Sequence, residues 1–138
     1  VTLEQLARMQ AAKTGALLAV SCRSGALLAG AAPGEVEKIT DYGRWLGRAF
    51  QIVDDILDET GDPEEMGKPV GSDREQGKAT YPSLIGLERS VTLAKEAGHK
   101  ALTALDSLRE TEAFPYGPRR NEAVFLRELV NYILKRGS

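Results

Sequence analysis

Apolar residues recur at steps of three and four along most of the chain, the spacing that puts them on one face of an α-helix. Thr2, followed three residues later by Gln5, resembles a capping box that opens a first helix through LEQLARMQAAKTGALLAVSCRSGALLAG, with a bend expected near Gly15 or Gly25. Pro33 and Gly34 end that run. A second helix is expected from Glu35 to Glu59, where Val36, Ile39, Tyr42 or Gly43, Leu46, Phe50, Val53 and Leu57 make one stripe. A third runs from Ser83 to Glu110 with Leu84, Leu87, Val91, Ala94, Ala101, Leu105 and Leu108. A fourth runs from Arg119 to Arg136 with Val124, Phe125, Leu129, Tyr132 and Ile133, after a connector holding Pro115, Gly117 and Pro118. Residues 60–82, with seven glycines and prolines, read as a loop too long for a domain to carry without a binding or lid role. No run alternates with the period of a strand. The class is all-α, and residues 1–138 make one domain of ordinary size or a piece of a larger one.

Composition changes this picture little. Hydrophobic residues at 42% and charged residues at 28% suit a water-soluble helical domain, and a formal net charge of -2 argues against a nucleic-acid partner. The longest apolar stretch is interrupted by Ser21, Cys22, Arg23 and Ser24, so no stable membrane insertion is expected. Cys22 is the only cysteine, which excludes an intramolecular disulfide and CxxC metal chemistry and fits a reducing, cytoplasmic home.

The charge that matters is local. Between Arg48 and Lys68 lie Asp54, Asp55, Asp58, Glu59, Asp62, Glu64 and Glu65, with no Lys or Arg among them. On a helical wheel with Asp54 at zero, Asp58 falls at about 40°, Gln51 at about 60° and Asp55 at about 100°. Phe50, Val53 and Leu57 flank that face on one side and Ile52 and Ile56 on the other, so these carboxylates are expected to point into a cavity. Crowded carboxylates in a poorly solvated place either hold a proton or bind a cation. Oxygen-only ligands suit Mg²⁺, with Mn²⁺ as the alternative, and Mg²⁺ leaves positions open for phosphate. Lys68 and Lys78 in the glycine-rich loop, and Lys13 in KTG, are the candidate phosphate-binding cations. Glu59, Asp62, Glu64 and Glu65 read as solvated surface.

The segment GRAFQIVDDILDETGDPEEMGKPVGSDREQGKATYPSLIGLE, with KTGALL upstream of it, resembles the trans-isoprenyl diphosphate synthases, in particular the C-terminal half of the bacterial farnesyl diphosphate synthase branch. Met66, where that family usually has Leu, is a minor departure. The resemblance implies an isoprenoid-synthase-type helical bundle around a deep cavity, with only its C-terminal helices present here. Two aspartate-rich motifs would face each other across the mouth, holding the diphosphate of an allylic substrate through three Mg²⁺ ions. Isopentenyl diphosphate would then attack the allylic cation, giving farnesyl diphosphate or, alternatively, a geranylgeranyl or longer chain. Asp54, Asp55 and Asp58 would be metal ligands, Asp54 the most direct. Gln51 would lie beside the allylic substrate; Lys13, Lys68 and Lys78 would hold its diphosphate; Thr14 would stabilise the developing cation. Asp73 would back the lysines. The first aspartate-rich motif, its arginine pair and a basic segment have no counterpart here, since Arg119-Arg120 lies in the wrong place. The chain, which opens on Val1, is therefore expected to be a fragment, inactive alone, that self-associates or exchanges helices, while the full-length protein forms a homodimer.

Two other functions compete: a non-catalytic homologue or subunit of such a synthase, and a helical metal-binding protein with no prenyl substrate. Among single residues, His99 reads as an exposed structural histidine, Cys22 as a helix-packing residue, Trp45 and Tyr42 as packed in or beside the bundle, and Tyr81 as a residue that fixes the exit of the loop.

Overall fold

The capping box at Thr2 forms: the Thr2 hydroxyl accepts from the Gln5 N–H at 3.2 Å and the Gln5 side chain accepts from the Thr2 N–H at 2.9 Å. It opens α1 (Leu3–Gln10), which passes through a π-helical turn (Ala11–Gly15) into α2 (Ala16–Leu28). The computed structural model describes residues 1–61, 67, 70–108 and 120–138. Pro33 starts α3 (Pro33–Thr60), the longest helix, where the fixed φ of proline suits the first turn. After it come a short turn, α4 (Ser72–Glu75), then α5 (Tyr81–Ile85), α6 (Leu87–Ser107) and α7 (Arg120–Arg136). No strand occurs among the described residues, and the all-α expectation holds.

α3 is the central element, packed on α2 along one face and on α6 and α7 along the other. Its inward stripe of Tyr42, Leu46, Ala49, Ile52, Val53 and Ile56 meets Ala94, Ala97, Ala101 and Leu105 of α6, and Val130 and Ile133 of α7. Small residues let the helices approach. A Cβ at Gly43 would lie 2.9 Å from the Leu18 carbonyl oxygen and 3.0 Å from Cys22 Sγ, and one at Gly47 would lie 2.9 Å from Gly15 Cα. Cys22 thus packs between helices as expected. The Tyr42 phenol, wholly buried, donates to the Leu126 carbonyl at 2.7 Å and ties α3 to α7; burial pushes its pKa upward.

Of the two places expected for a bend in the first run, the π turn ending at Gly15 is where the helix changes, and α2 continues through Gly25 unbroken. The elements depart from the sequence reading in two places. The third run is two helices, because Gly86 takes φ +83°, a left-handed conformation that interrupts the helix between Ile85 and Leu87. Leu84 and Leu87, read as core positions of one continuous helix, lie either side of that break and are exposed. On α7, Val124, Phe125 and Tyr132 are likewise exposed, while Ile133 is buried as expected, together with Ala123 and Val130.

Candidate active site

The π turn is where the sequence puts its first candidate residues. A single inserted residue in a helix aims neighbouring side chains off the regular register, and such turns collect at functional sites. Here Gly15 lies against Gly47, which sets the turn bearing Lys13 and Thr14 against α3 two turns before Asp54. Lys13 is exposed and Thr14 half-buried.

Beside this crossing lies a cavity of 560 Å³ between the α1–α2 rod and α3. The α1–α2 side contributes Ala7, Ala11, Ala16 and Ala19 together with Gln10 and Arg23; the α3 side carries Asp41, Arg44, Arg48 and Gln51, and Tyr81 also lines it. Gln51, which shares the wheel face of the aspartates, lines this cavity, whereas the carboxylates expected to point into one do not. Asp54, Asp55 and Asp58 are not part of the lining. Asp54 is half-buried, and the other two are buried and engaged with backbone.

Asp55 closes the gap between three elements. One of its oxygens accepts from the Tyr81 N–H at 3.0 Å and from Gln10 Nε2 at 3.2 Å, joining α3, α5 and α1. The Tyr81 N–H belongs to the first turn of α5 and has no partner within that helix. Burial raises the Asp55 pKa to about 6, against these hydrogen bonds, which lower it; the nearby charges of Asp54 and Asp73 push it up further. Gln10 Oε1 is buried with no hydrogen-bond partner among the described residues.

Asp58 holds the segment that follows. Its side chain accepts from the Asp73 N–H at 3.2 Å and its carbonyl from the Gly71 N–H at 2.5 Å, so the loop is folded back on the end of α3. Lys78 is exposed and reaches Asp73 at 3.5 Å, which agrees with Asp73 as a partner of a loop lysine. Lys68, together with Asp62, Glu64 and Glu65, lies outside the described residues. Glu59, read as solvated, is half-buried. His99 is exposed. Tyr81 does fix the exit of the loop, through its N–H on Asp55.

The three aspartates therefore share a helix end but not one point in space. Among the described residues, no three carboxylate, imidazole or thiolate groups come together as a metal cage. Mg²⁺ held beside phosphate needs only one or two carboxylates, with water and phosphate completing the shell, and of the three aspartates Asp54 is the least buried.

Sequence reasoning passed over Gln10 and Arg48. Arg48 precedes Gln51 by three residues and Asp55 by seven, so the same wheel puts it on their face. Gln10 carried no comparable signal, because its approach to Asp55 depends on the tertiary packing of α1.

An all-helical bundle whose central helix ends in an aspartate-rich segment, beside a half-apolar cavity, is the helical isoprenoid-synthase fold. The chain belongs to the polyprenyl synthetase family, whose pattern matches residues 1–112. Geranylgeranyl pyrophosphate synthase 4 of Arabidopsis thaliana is 44% identical over 110 residues, which are 78% of this chain and 30% of that protein. A crystal structure of a geranylgeranyl pyrophosphate synthase superposes with a TM-score of 0.83 at 25% identity, covering 100% of this chain and 53% of the other. The Helicobacter pylori geranyltransferase, solved with magnesium and isoprenyl diphosphate, gives 0.72 at 32% identity, covering 98% and 41%. The chain thus spans 30% of the length of that Arabidopsis relative and about half or less of these solved chains. Among the described residues no helix is long and apolar enough to cross a membrane.

Proposed function

We propose that the protein is a Mg²⁺-dependent prenyltransferase, which condenses an allylic diphosphate with isopentenyl diphosphate. The observation that carries this reading is the seating of Gly15 on Gly47, which brings a turn with Lys13 and Thr14 to the helix that ends in the aspartate-rich segment. Asp54 is the direct metal ligand in this reading. Asp55 and Asp58, engaged with the N–H groups of Tyr81 and Asp73, hold the helix end and its loop in place around it. Lys13, Lys68 and Lys78 bind diphosphate oxygens, Thr14 offers an oxygen to the carbocation, and Gln51 lies along the allylic chain. Bound Mg²⁺ would neutralise the charge that builds on the diphosphate as it leaves, and ammonium groups aimed at the same oxygens strengthen as that charge grows.

For product length, the names of the curated relatives support geranylgeranyl diphosphate at least as well as the farnesyl diphosphate expected from sequence. A homodimer of the full-length protein and a cytoplasmic location belong to the same proposal; the half-buried Cys22 thiol, its pKa raised by burial, suits a reducing compartment. The test is incubation of the full-length protein with Mg²⁺, isopentenyl diphosphate and either geranyl or farnesyl diphosphate, with products separated by chain length. Formation of geranylgeranyl or farnesyl diphosphate supports the reading. Absence of any condensation by the folded protein overturns it in favour of a non-catalytic homologue.

A further inference from the structure

The turn that bears Lys13 and Thr14 meets α3 at both of its ends. At the C-terminal end Gly15 lies on Gly47, where a Cβ would come within 2.9 Å of Gly15 Cα. At the N-terminal end Gln10, the last residue of α1, donates from Nε2 to both oxygens of Asp55, at 3.2 and 3.4 Å. Gly47 and Asp55 are two turns apart on α3, roughly 12 Å along its axis. The turn is thus held against the stretch of α3 that leads to Asp54.

The two contacts fix different things. Gly15 against Gly47 sets how closely the turn approaches, but it supplies no directional bond. An amide donating to a carboxylate has a preferred length and direction, so it sets the register of the turn along α3. A carboxylate only accepts, so the amide must face it with nitrogen. That orientation leaves Gln10 Oε1 buried with no hydrogen-bond partner among the described residues. An unmet buried acceptor costs stability, and an apolar side chain would join α1 to α3 without that cost. Packing alone therefore does not account for the amide; its bond to Asp55 does. The same carboxylate is fixed from the other side by the Tyr81 N–H at 3.0 Å, which gives Gln10 a rigid anchor.

We propose that Gln10 is a positioning residue, which sets the register of the Lys13–Thr14 turn against the aspartate-rich end of α3 through the Asp55 carboxylate. The consequence of this register rests on the prenyltransferase reading: groups on two elements act on one diphosphate only while their spacing is held. The spacing itself is measurable with no ligand present.

The full-length protein, with Cys22→Ala and any other cysteine replaced, is spin-labelled at Ala12→Cys in the turn and Thr60→Cys at the end of α3, both exposed positions. Double electron–electron resonance without metal or substrate should give one narrow distance in the parent. Gln10→Leu, similar in size but without a donor, should broaden it. Gln10→His, which keeps an N–H donor near the same place, should leave it narrow. Gln10→Asn, an amide one methylene too short, should broaden it too and serves if the leucine variant does not fold. Calorimetry then reads the gain in geranyl diphosphate affinity on adding Mg²⁺. Gln10→Leu should cut that gain by about tenfold, the scale of one hydrogen bond to a charged group, and Gln10→His by less. A role in packing alone would lower the unfolding temperature and leave distance and gain as in the parent.

The proposal is overturned if Gln10→Leu, folded by circular dichroism, keeps the narrow distance or the full Mg²⁺ gain of the parent. It is also overturned if Gln10→His broadens the distance as Gln10→Leu does, since volume and not the donor would then set the register. A parent without any Mg²⁺ gain, whose distance still broadens in Gln10→Leu, would remove the prenyltransferase reading and keep Gln10 as the residue that sets the register.

Discussion

The carboxylate of Asp55 caps the first turn of the helix that begins at Tyr81, accepting its backbone N–H at 3.0 Å from within the core. A residue that family resemblance casts as a metal ligand is thus also a structural joint. Its folded pKa, about 6, is above the ordinary 3.8. With the pKa raised on folding, the native state binds the extra proton between those values, so the contribution to stability is fully present below pH 3.8 and is lost as pH rises through 6. The span corresponds to about 2–3 kcal/mol. Metal-free protein should show this as a decline in stability from pH 4 to 7, superimposed on its other titrations. Asp55→Asn should remove that component, measured by urea unfolding of both forms across the pH range. Equal slopes for the two would contradict the assignment.

Gly47 has no room for a side chain, since the atom 2.9 Å from its would-be Cβ is backbone of Gly15. Gly47→Ala should push the π turn away from α3 and destabilise the protein by about 1–3 kcal/mol, the range for overpacking a well-filled contact. Thermal unfolding measures the loss. Because Lys13 and Thr14 ride on that turn, diphosphate affinity in the presence of Mg²⁺ should fall as well, while Gly25→Ala, at a glycine whose Cβ would meet nothing within 4 Å, should leave both unchanged.

Asp58 works on the loop. Asp58→Ala removes the acceptor of the Asp73 N–H and should cost about 1–3 kcal/mol, the range for stranding a partly buried donor. The effect should be concentrated near that contact: hydrogen exchange at Asp73 and its neighbours should accelerate more than exchange in α3 or α6. Uniform acceleration throughout the chain would contradict a local role.

Much of this fold was legible in the chain itself. The 3.6-residue period marked α3 to within a few residues because one continuous stripe from Val36 to Ile56 is buried, and Pro33 and Gly61 stand at its ends. The break at Gly86 was hidden, since the apolar spacing runs straight across it and only the positive φ interrupts the helix. The wheel gave Gln51 and the three aspartates one face and expected the carboxylates to meet a cavity, and of these four residues Gln51 lines one while Asp55 and Asp58 are buried. A wheel has no knowledge of what packs against a face, and here the backbone of Tyr81 and Asp73 reaches Asp55 and Asp58 from elsewhere in the sequence.

Leu17, Val20, Leu27 and Leu28 leave an exposed apolar strip along α2. A second copy of this chain is the expected cover in solution, since contiguous exposed apolar side chains favour association. Sedimentation of the 138-residue chain should show a species heavier than the monomer, and Leu17→Glu combined with Val20→Lys should shift it to monomer. A concentration-independent monomer in the parent would contradict the expectation.

The most direct measurement is calorimetric titration of the full-length protein with an allylic diphosphate, with and without Mg²⁺, in the parent and in Asp54→Ala. The account predicts that Mg²⁺ tightens binding in the parent by an order of magnitude or more and that Asp54→Ala abolishes this gain while leaving helix content intact. Equal tightening by Mg²⁺ in both proteins would contradict it.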